Sequence, residues 1–236
     1  MREEILKFYM VGGAAIMEIQ RYEKLDCVIR YPKEFSTDKR YPIVFYMHGA
    51  GGRGHDISLI WNHPFFRLTE EVQNNAVFIA PQCYANSWFD IFEQLQDFVH
   101  HIMDKTYVDK KRIYLMGASM GGYTTWQLAM TQPEWFAAIV PICGGGMYWN
   151  AGRLINMGVW AFHGKDDGTV FCEESEKMVQ RINAEGGNAK FTIYEGCGHD
   201  AWTPTMKNRE VWEWLFAQNN HYVEQKSRYD DVEQWG

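Results

Sequence analysis

Leu115–Thr124 reads LMGASMGGYT, and the fold turns on how its serine is held. Ser119 has a glycine two positions away on each side, Gly117 and Gly121, straight after a hydrophobic run. Small residues around a hydroxyl, where a strand gives way to a helix, suit a cramped turn: a Cβ at either flank would collide with neighbouring backbone. The helix that follows aims its N-terminal N–H groups and positive dipole end at whatever lies above the serine. An ordinary loop rich in small residues is the competing reading, and the surrounding sequence has to decide between them.

Working outward, β-rich runs recur at 25–31 (LDCVIRY), 41–47 (YPIVFYM), 75–82 (NAVFIAPQ), 112–118 (RIYLMGA), 137–145 (AAIVPICGG), 158–164 (GVWAFHG) and 190–196 (KFTIYEG). The last five are short and apolar throughout, as strands buried on both faces of a parallel sheet are. Helical spacing appears between them at 89–107, 122–132, 172–187 and 208–218; in the first, Ile91, Leu95, Phe98, Val99 and Ile102 share one stripe. Alternating strands and helices predict an α/β fold with a mostly parallel central sheet and helices on both faces. Residues 1–20 read as early strands. We assign one domain over 1–220 and a polar, acidic tail over 221–236.

The composition excludes several classes. The 236 residues suffice for one large core, and the net charge of −7 leaves no basic footprint for nucleic acid or an anionic membrane. The five cysteines are scattered, odd in number and without CxxC spacing, which disfavours a disulfide framework or a zinc site. Reduced thiols are expected, with a single Cys172–Cys197 bridge as the alternative. Glu3 and Glu4 interrupt the charged start an export signal needs, so a cytoplasmic location is expected, with a leader already removed left open.

A serine hydroxyl is a weak nucleophile that needs a base and an acid to orient the base. Both occur downstream on loops that follow strands: Lys165-Asp166-Asp167-Gly168 after GVWAFHG, and Cys197-Gly198-His199-Asp200 after KFTIYEG. Of the eight histidines only His199 falls in such a slot; His100 and His101 lie mid-helix, and His48 and His163 end strands before glycine and read as structural. An oxyanion needs preorganised donors. The N–H of Met120 is one, and the glycine-rich MHGAGGRG (Met47–Gly54) offers Ala50 or Gly51 as the second.

In that order, FYMHGAGGRG, APQCYANSW, GASMGGYTTW, AFHGKDDGTV and GCGHDAW resemble the compact carboxylesterases of the α/β-hydrolase superfamily. These are related to dienelactone hydrolases, the phospholipase/carboxylesterase group and bacterial feruloyl and acetyl esterases; some relatives are regarded as peptidases akin to the prolyl oligopeptidase catalytic domain. The resemblance covers roughly 25–218 and implies the α/β-hydrolase fold; the stretch Met147–Met157 after ICGGG is short, so a minimal lid or none is expected. It implies Ser119 as nucleophile, Asp167 as acid, four residues beyond His163, and His199 as base, with Asp166 the rival acid. It implies no metal and no organic cofactor. The chain departs from the pattern at Phe171, where a proline usually follows the valine.

The implied activity is hydrolysis of carboxylic esters through an acyl-enzyme. Trp61, Gln82, Trp88, Trp149, Phe171 and Trp202 are expected near the catalytic edge, where aromatic walls would suit a hydroxycinnamoyl or sugar-linked ester. The expected partner is therefore a small-molecule or carbohydrate-linked ester, without nucleic acid or membrane; a homodimer is left open. The alternatives are a serine peptidase of the oligopeptidase type and a non-catalytic hydrolase-fold binding protein.

Overall fold

The structure is a computed structural model that describes residues 3–11, 15–70 and 75–222. Most of the expected tail, from residue 223 on, lies outside the described residues.

Among the described residues nine strands form one sheet: β1 (Glu3–Val11), β2 (Ala15–Tyr22), β3 (Leu25–Tyr31), β4 (Tyr41–Met47), β5 (Val77–Pro81), β6 (Val108–Ala118), β7 (Ala138–Ile142), β8 (Gly158–Gly164) and β9 (Lys190–Tyr194). Their order is β1-β2-β3-β5-β4-β6-β7-β8-β9. The first three pair antiparallel and β3 joins β5 antiparallel; from β5 to β9 every pairing is parallel. Parallel neighbours need crossovers, and the helices supply them. These are α1 (Ser58–Trp61), α2 (Pro64–Glu70), α3 (Phe92–Met103), α4 (Met120–Thr131), α5 (Glu173–Ala184), α6 (Trp202–Lys207) and α7 (Arg209–Ala217).

Alternate side chains of a strand face opposite sides of the sheet, so each inner strand feeds two cores. Ile43, Phe45 and Met47 join Leu95 and Phe98 of α3, Trp126 of α4 and Met178 of α5. Val44 and Tyr46 join Phe65 of α2, Met206 of α6 and Trp212 of α7 on the other face. This two-sided burial is why β4 is apolar at every position, and all seven of its residues are buried. Among the strands expected to be covered on both faces, β9 differs: among the described residues it pairs only with β8, and its five residues are exposed or half-buried.

The helix expected from Phe89 begins later. Ser87 and Asp90 close a capping box around a 3-10 turn at Trp88–Ile91, and α3 follows it. The segment after β7, read as too short for a lid, forms a 3-10 turn at Tyr148–Leu154. Cys172 and Cys197 are not joined in a disulfide, so the Cys172–Cys197 alternative falls away.

Candidate active site

Parallel strands bring their C-terminal ends to one edge, where binding sites of open α/β sheets form. Here that edge gathers the turns after β4, β6, β7, β8 and β9, because those strands are near neighbours in the sheet.

Ser119 sits between β6 and α4 with φ 56° and ψ −119°, a left-handed conformation that a non-glycine residue adopts at a cost of order 1–3 kcal/mol. Its own N–H donates to the Ile142 carbonyl at 2.9 Å, tying the turn to β7. The flanking glycines are sterically required: a Cβ on Gly121 would overlap the Met47 carbonyl, and one on Gly117 would overlap the Gly121 carbonyl. The small residues of LMGASMGGYT thus let β4, β6 and α4 approach around an outward-turned hydroxyl, and the plain-loop reading is set aside.

The Ser119 hydroxyl lies 2.9 Å from His199 Nε2, and His199 Nδ1 lies 2.7 Å from Asp167 Oδ2. The carboxylate can only accept, so Nδ1 carries the ring proton and Nε2 is left to accept from the serine. Burial alone would raise the Asp167 carboxyl. Hydrogen bonds from His199 and from the N–H groups of Val170 and Thr169 outweigh it and hold the group below its ordinary value. Asp167 is 4% exposed, whereas the rival Asp166 is exposed and its N–H is bound to the Cys197 carbonyl at 2.9 Å.

Ala50–Gly52 forms a 3-10 turn whose first internal bond runs from Gly52 N–H to Gly49 O at 3.1 Å. The N–H groups of Ala50 and Gly51 precede that bond, and Met120 N–H opens α4; helix starts leave such donors without intrahelical partners. The turn is anchored from below. Buried His48 accepts from Cys83 N–H at 2.9 Å, Trp88 Nε1–H donates to His48 O at 3.1 Å, and Gln82 Nε2 donates to Gly52 O at 3.0 Å and Asp56 O at 2.9 Å.

This anchoring corrects two expected substrate contacts. Trp88 is 0% exposed and Gln82 1% exposed, and both hold the glycine-rich turn instead of facing a ligand. Their signal was a motif, APQCYANSW, whose polar and aromatic members serve the neighbouring loop. Trp61 is half-buried against the core. Trp149 and Phe171 are 51% and 67% exposed at the rim, and Trp202 meets the His199 ring edge-on at 5.5 Å.

Sequence reasoning missed a cleft that Tyr123, on the first turn of α4, links to the serine turn. Phe89, Phe92, Tyr123, Gln127 and Met147, with Gly145 and Gly146, line a mostly apolar cavity of about 520 Å³. Tyr123 stands one helical turn beyond Ser119, its N–H bonded to the Ser119 carbonyl at 3.0 Å. The spacing of Ser119 and Tyr123 was the one available signal.

Cys143, Asp167 and His199 place potential ligand atoms within 4.8 Å of one another. A metal would need the thiolate, and burial pushes the Cys143 thiol up to about 12. The carboxylate and ring are, moreover, already bonded to each other.

A family model described as the prolyl oligopeptidase family matches residues 89–151, the part of the chain that holds the serine turn. Probable feruloyl esterase C of Aspergillus terreus is 22% identical over 198 residues, covering 76% of this chain and 73% of that protein. A solved thermostable esterase is 31% identical with a TM-score of 0.75; the match covers 87% of this chain but only 63% of that one, so this chain spans less than two thirds of its length. The feruloyl esterase module of Clostridium thermocellum, solved with sinapinate, shares the fold at 15% identity and a TM-score of 0.65, covering 96% of this chain and 100% of that one. The chain thus has the α/β-hydrolase fold, and over most of its length it is similar to feruloyl esterases and to a thermostable esterase.

Proposed function

We propose that the chain is a serine carboxylesterase that accepts aromatic acyl esters of the feruloyl type. The observation that carries the catalytic part is the continuous hydrogen-bonded series Ser119–His199–Asp167, at 2.9 and 2.7 Å. In this reading Ser119 Oγ attacks the ester carbonyl while His199 Nε2 takes its proton, and Asp167 holds the ring tautomer and stabilises the imidazolium. The N–H groups of Met120 and of Ala50 or Gly51 receive the developing oxyanion. His199 then returns the proton to the leaving alcohol, activates a water, and the acyl-enzyme is hydrolysed.

The acyl preference rests on the cleft that Tyr123 lines. Its walls are aromatic and thioether side chains with one amide, Gln127, and its size falls within the range of small-molecule sites. A flat phenylpropenoyl group buries its ring against Phe89, Phe92 and Tyr123, and its phenolic substituents reach the amide. Names among the relatives point the same way. The peptidase reading is weaker, because the matching family model covers only 89–151, the segment common to such elbows.

The test is turnover of methyl ferulate, p-nitrophenyl acetate and a peptide anilide by the native chain and by Ser119→Ala, with fluorophosphonate labelling alongside. Ester turnover and labelling that vanish together in Ser119→Ala are expected. Anilide cleavage without ester cleavage, or an unlabelled protein, would defeat the proposal.

A further inference from the structure

The turn from Gly49 to Gly52 closes over a histidine. His48 follows β4 at 1% exposure, and its ring lies against Gly52, where a Cβ would come within 2.6 Å of the His48 Cγ and Nδ1. Glycine at this position lets the chain cross the ring. Both ring nitrogens are bonded: Nε2 lies 2.9 Å from the Cys83 nitrogen, and Nδ1 lies 2.6 Å from the Gly49 carbonyl oxygen.

Each of these bonds has one possible direction. A backbone N–H can only donate, so Nε2 accepts from Cys83 and carries no proton. Nδ1 therefore holds the ring proton and donates it to Gly49 O, which can only accept. Gly52 N–H donates to the same oxygen at 3.1 Å. Two donors thus occupy the two lone pairs of that carbonyl and fix the peptide plane it shares with the Ala50 N–H. In a trans peptide the C=O and N–H point in opposite directions, so holding the carbonyl inward aims the Ala50 N–H outward.

That peptide is the part of the turn set against the nucleophile. A Cβ on Gly49 would lie 3.4 Å from Ser119 Cβ and 4.0 Å from Ser119 Oγ. Gly51 stands apart. A Cβ there meets nothing within 4 Å, and the carbonyl of its peptide, Ala50 O, is held at 2.8 Å by Nε of the exposed Arg53.

The structure assigns the second oxyanion donor to the Ala50 N–H, and makes His48 the positioning residue that aims it. The order of residues in HGAGG (His48–Gly52) follows from this division of labour. His48 supplies the ring proton, Gly49 the close approach to Ser119, Ala50 the donor and Gly52 the room above the ring. His48, which reads as structural in the sequence, is structural toward Cys83 and functional toward Gly49. The inference rests on Ser119 as the proposed nucleophile.

Ala50→Pro tests the donor by removing that one N–H. The backbone suits the substitution: Ala50 opens a 3-10 turn, where a missing N–H breaks no internal bond, and Gly49 at ψ −178° has the extended backbone that a following proline requires. A folded protein is expected, with kcat for p-nitrophenyl acetate down roughly 10²–10³-fold and KM little changed. Full turnover by folded Ala50→Pro overturns the donor assignment. A pair of variants tests His48. His48→Asn keeps an N–H in the place of Nδ1 and His48→Leu does not, while both lose the acceptor for Cys83 N–H. Similar losses of stability in urea are expected, with kcat lower by roughly 10-fold in His48→Leu than in His48→Asn. Equal kcat in the two overturns the positioning role. Should neither fold, the long-range ¹H–¹⁵N spectrum of the native protein decides, and a proton on His48 Nε2 in place of Nδ1 overturns it. The failures are distinguishable: an active Ser119→Ala defeats the catalytic reading itself, whereas an inactive Ser119→Ala beside a fully active Ala50→Pro defeats this inference alone.

Discussion

The Trp88 indole N–H donates to the His48 carbonyl at 3.1 Å, joining residues forty apart in the chain. That bond lies directly beneath the turn that carries Ala50 and Gly51, and the His48 carbonyl also borders the space beside Gly121. One buried indole therefore braces both proposed sources of oxyanion donors.

Trp88→Phe should separate the brace from the packing. The ring still fills most of the 0% exposed site, but the His48 carbonyl loses its donor. A stability loss of about 1–3 kcal/mol is expected from the unmet bond, measured by urea unfolding. If the turn drifts, kcat for p-nitrophenyl acetate falls while KM changes little, because the donors act on the transition state. Equal kcat in the two proteins would show that the turn holds without the brace.

His48 also sets a pH window for stability. Burial, aided by the charge of Arg53, lowers its value from 6.5 to about 4. The folded chain therefore binds this proton less readily than the unfolded chain does, so stability is complete above pH 6.5 and falls between there and about pH 4. The loss amounts to about 3 kcal/mol across the window. His63, also lowered to about 4 by burial, titrates alongside it. Urea unfolding across this range should show a slope that is reduced, though not abolished, in His48→Gln. A slope unchanged by the substitution would assign it elsewhere.

Most of the sheet was legible because burial on two faces leaves a continuous apolar run. The bounds of β3, β4 and β8 coincide with LDCVIRY, YPIVFYM and GVWAFHG. Ser119, Asp167 and His199 were legible for a related reason: topology fixes which loops meet, so a residue's slot after a strand carries its position. What could not be read was the direction in which a loop side chain points. Trp88 and Phe89 are adjacent, yet one is fully buried and the other 49% exposed. α1, α2 and α6 are four to seven residues long, too short to display a helical period.

Asp167→Asn should uncouple charge from shape. The amide retains volume but cannot accept from Thr169, Val170 and His199 together in the same way, and it favours the wrong His199 tautomer. A fall in kcat approaching 10⁴-fold is expected, and little further loss when the substitution is added to Ser119→Ala, since the residues act as a unit. Acid stability should change too. The native carboxyl titrates below its ordinary 3.8, so it contributes stability above that value and loses it as pH falls further. Asp167→Asn should therefore flatten the stability profile below about pH 4.

Gly121→Ala tests the close approach at the elbow. The added methyl would have to occupy the place of the Met47 carbonyl, and that carbonyl belongs to backbone at the end of β4, which cannot swing away as a side chain would. A poorly folded or inactive protein is expected by circular dichroism and ester turnover. Gly168→Ala is the matched control, because a Cβ there meets nothing within 4 Å; it should fold and turn over normally. A fully active Gly121→Ala would mean that α4 can shift without disturbing Ser119.

Acyl selectivity offers the sharpest check on the cleft. Phe89 is 49% exposed and Met147 41% exposed, so both can be truncated without opening a core cavity. An acetyl group is too small to reach far past the serine, whereas a feruloyl ring would lie along Phe89, Phe92 and Tyr123. Phe89→Ala should thus leave kcat/KM for p-nitrophenyl acetate nearly unchanged and lower that for methyl ferulate by roughly 10-fold, the loss of about 1.4 kcal/mol of aromatic contact. Tyr123→Phe, which keeps the ring, should spare both substrates, and Gln127→Leu should raise KM for ferulate more than for the unsubstituted cinnamate, which has no phenolic group for the amide to meet. Equal losses for acetyl and feruloyl esters in Phe89→Ala would place the aromatic acyl group elsewhere on the edge, with Trp149 and Phe171 the next rings to truncate.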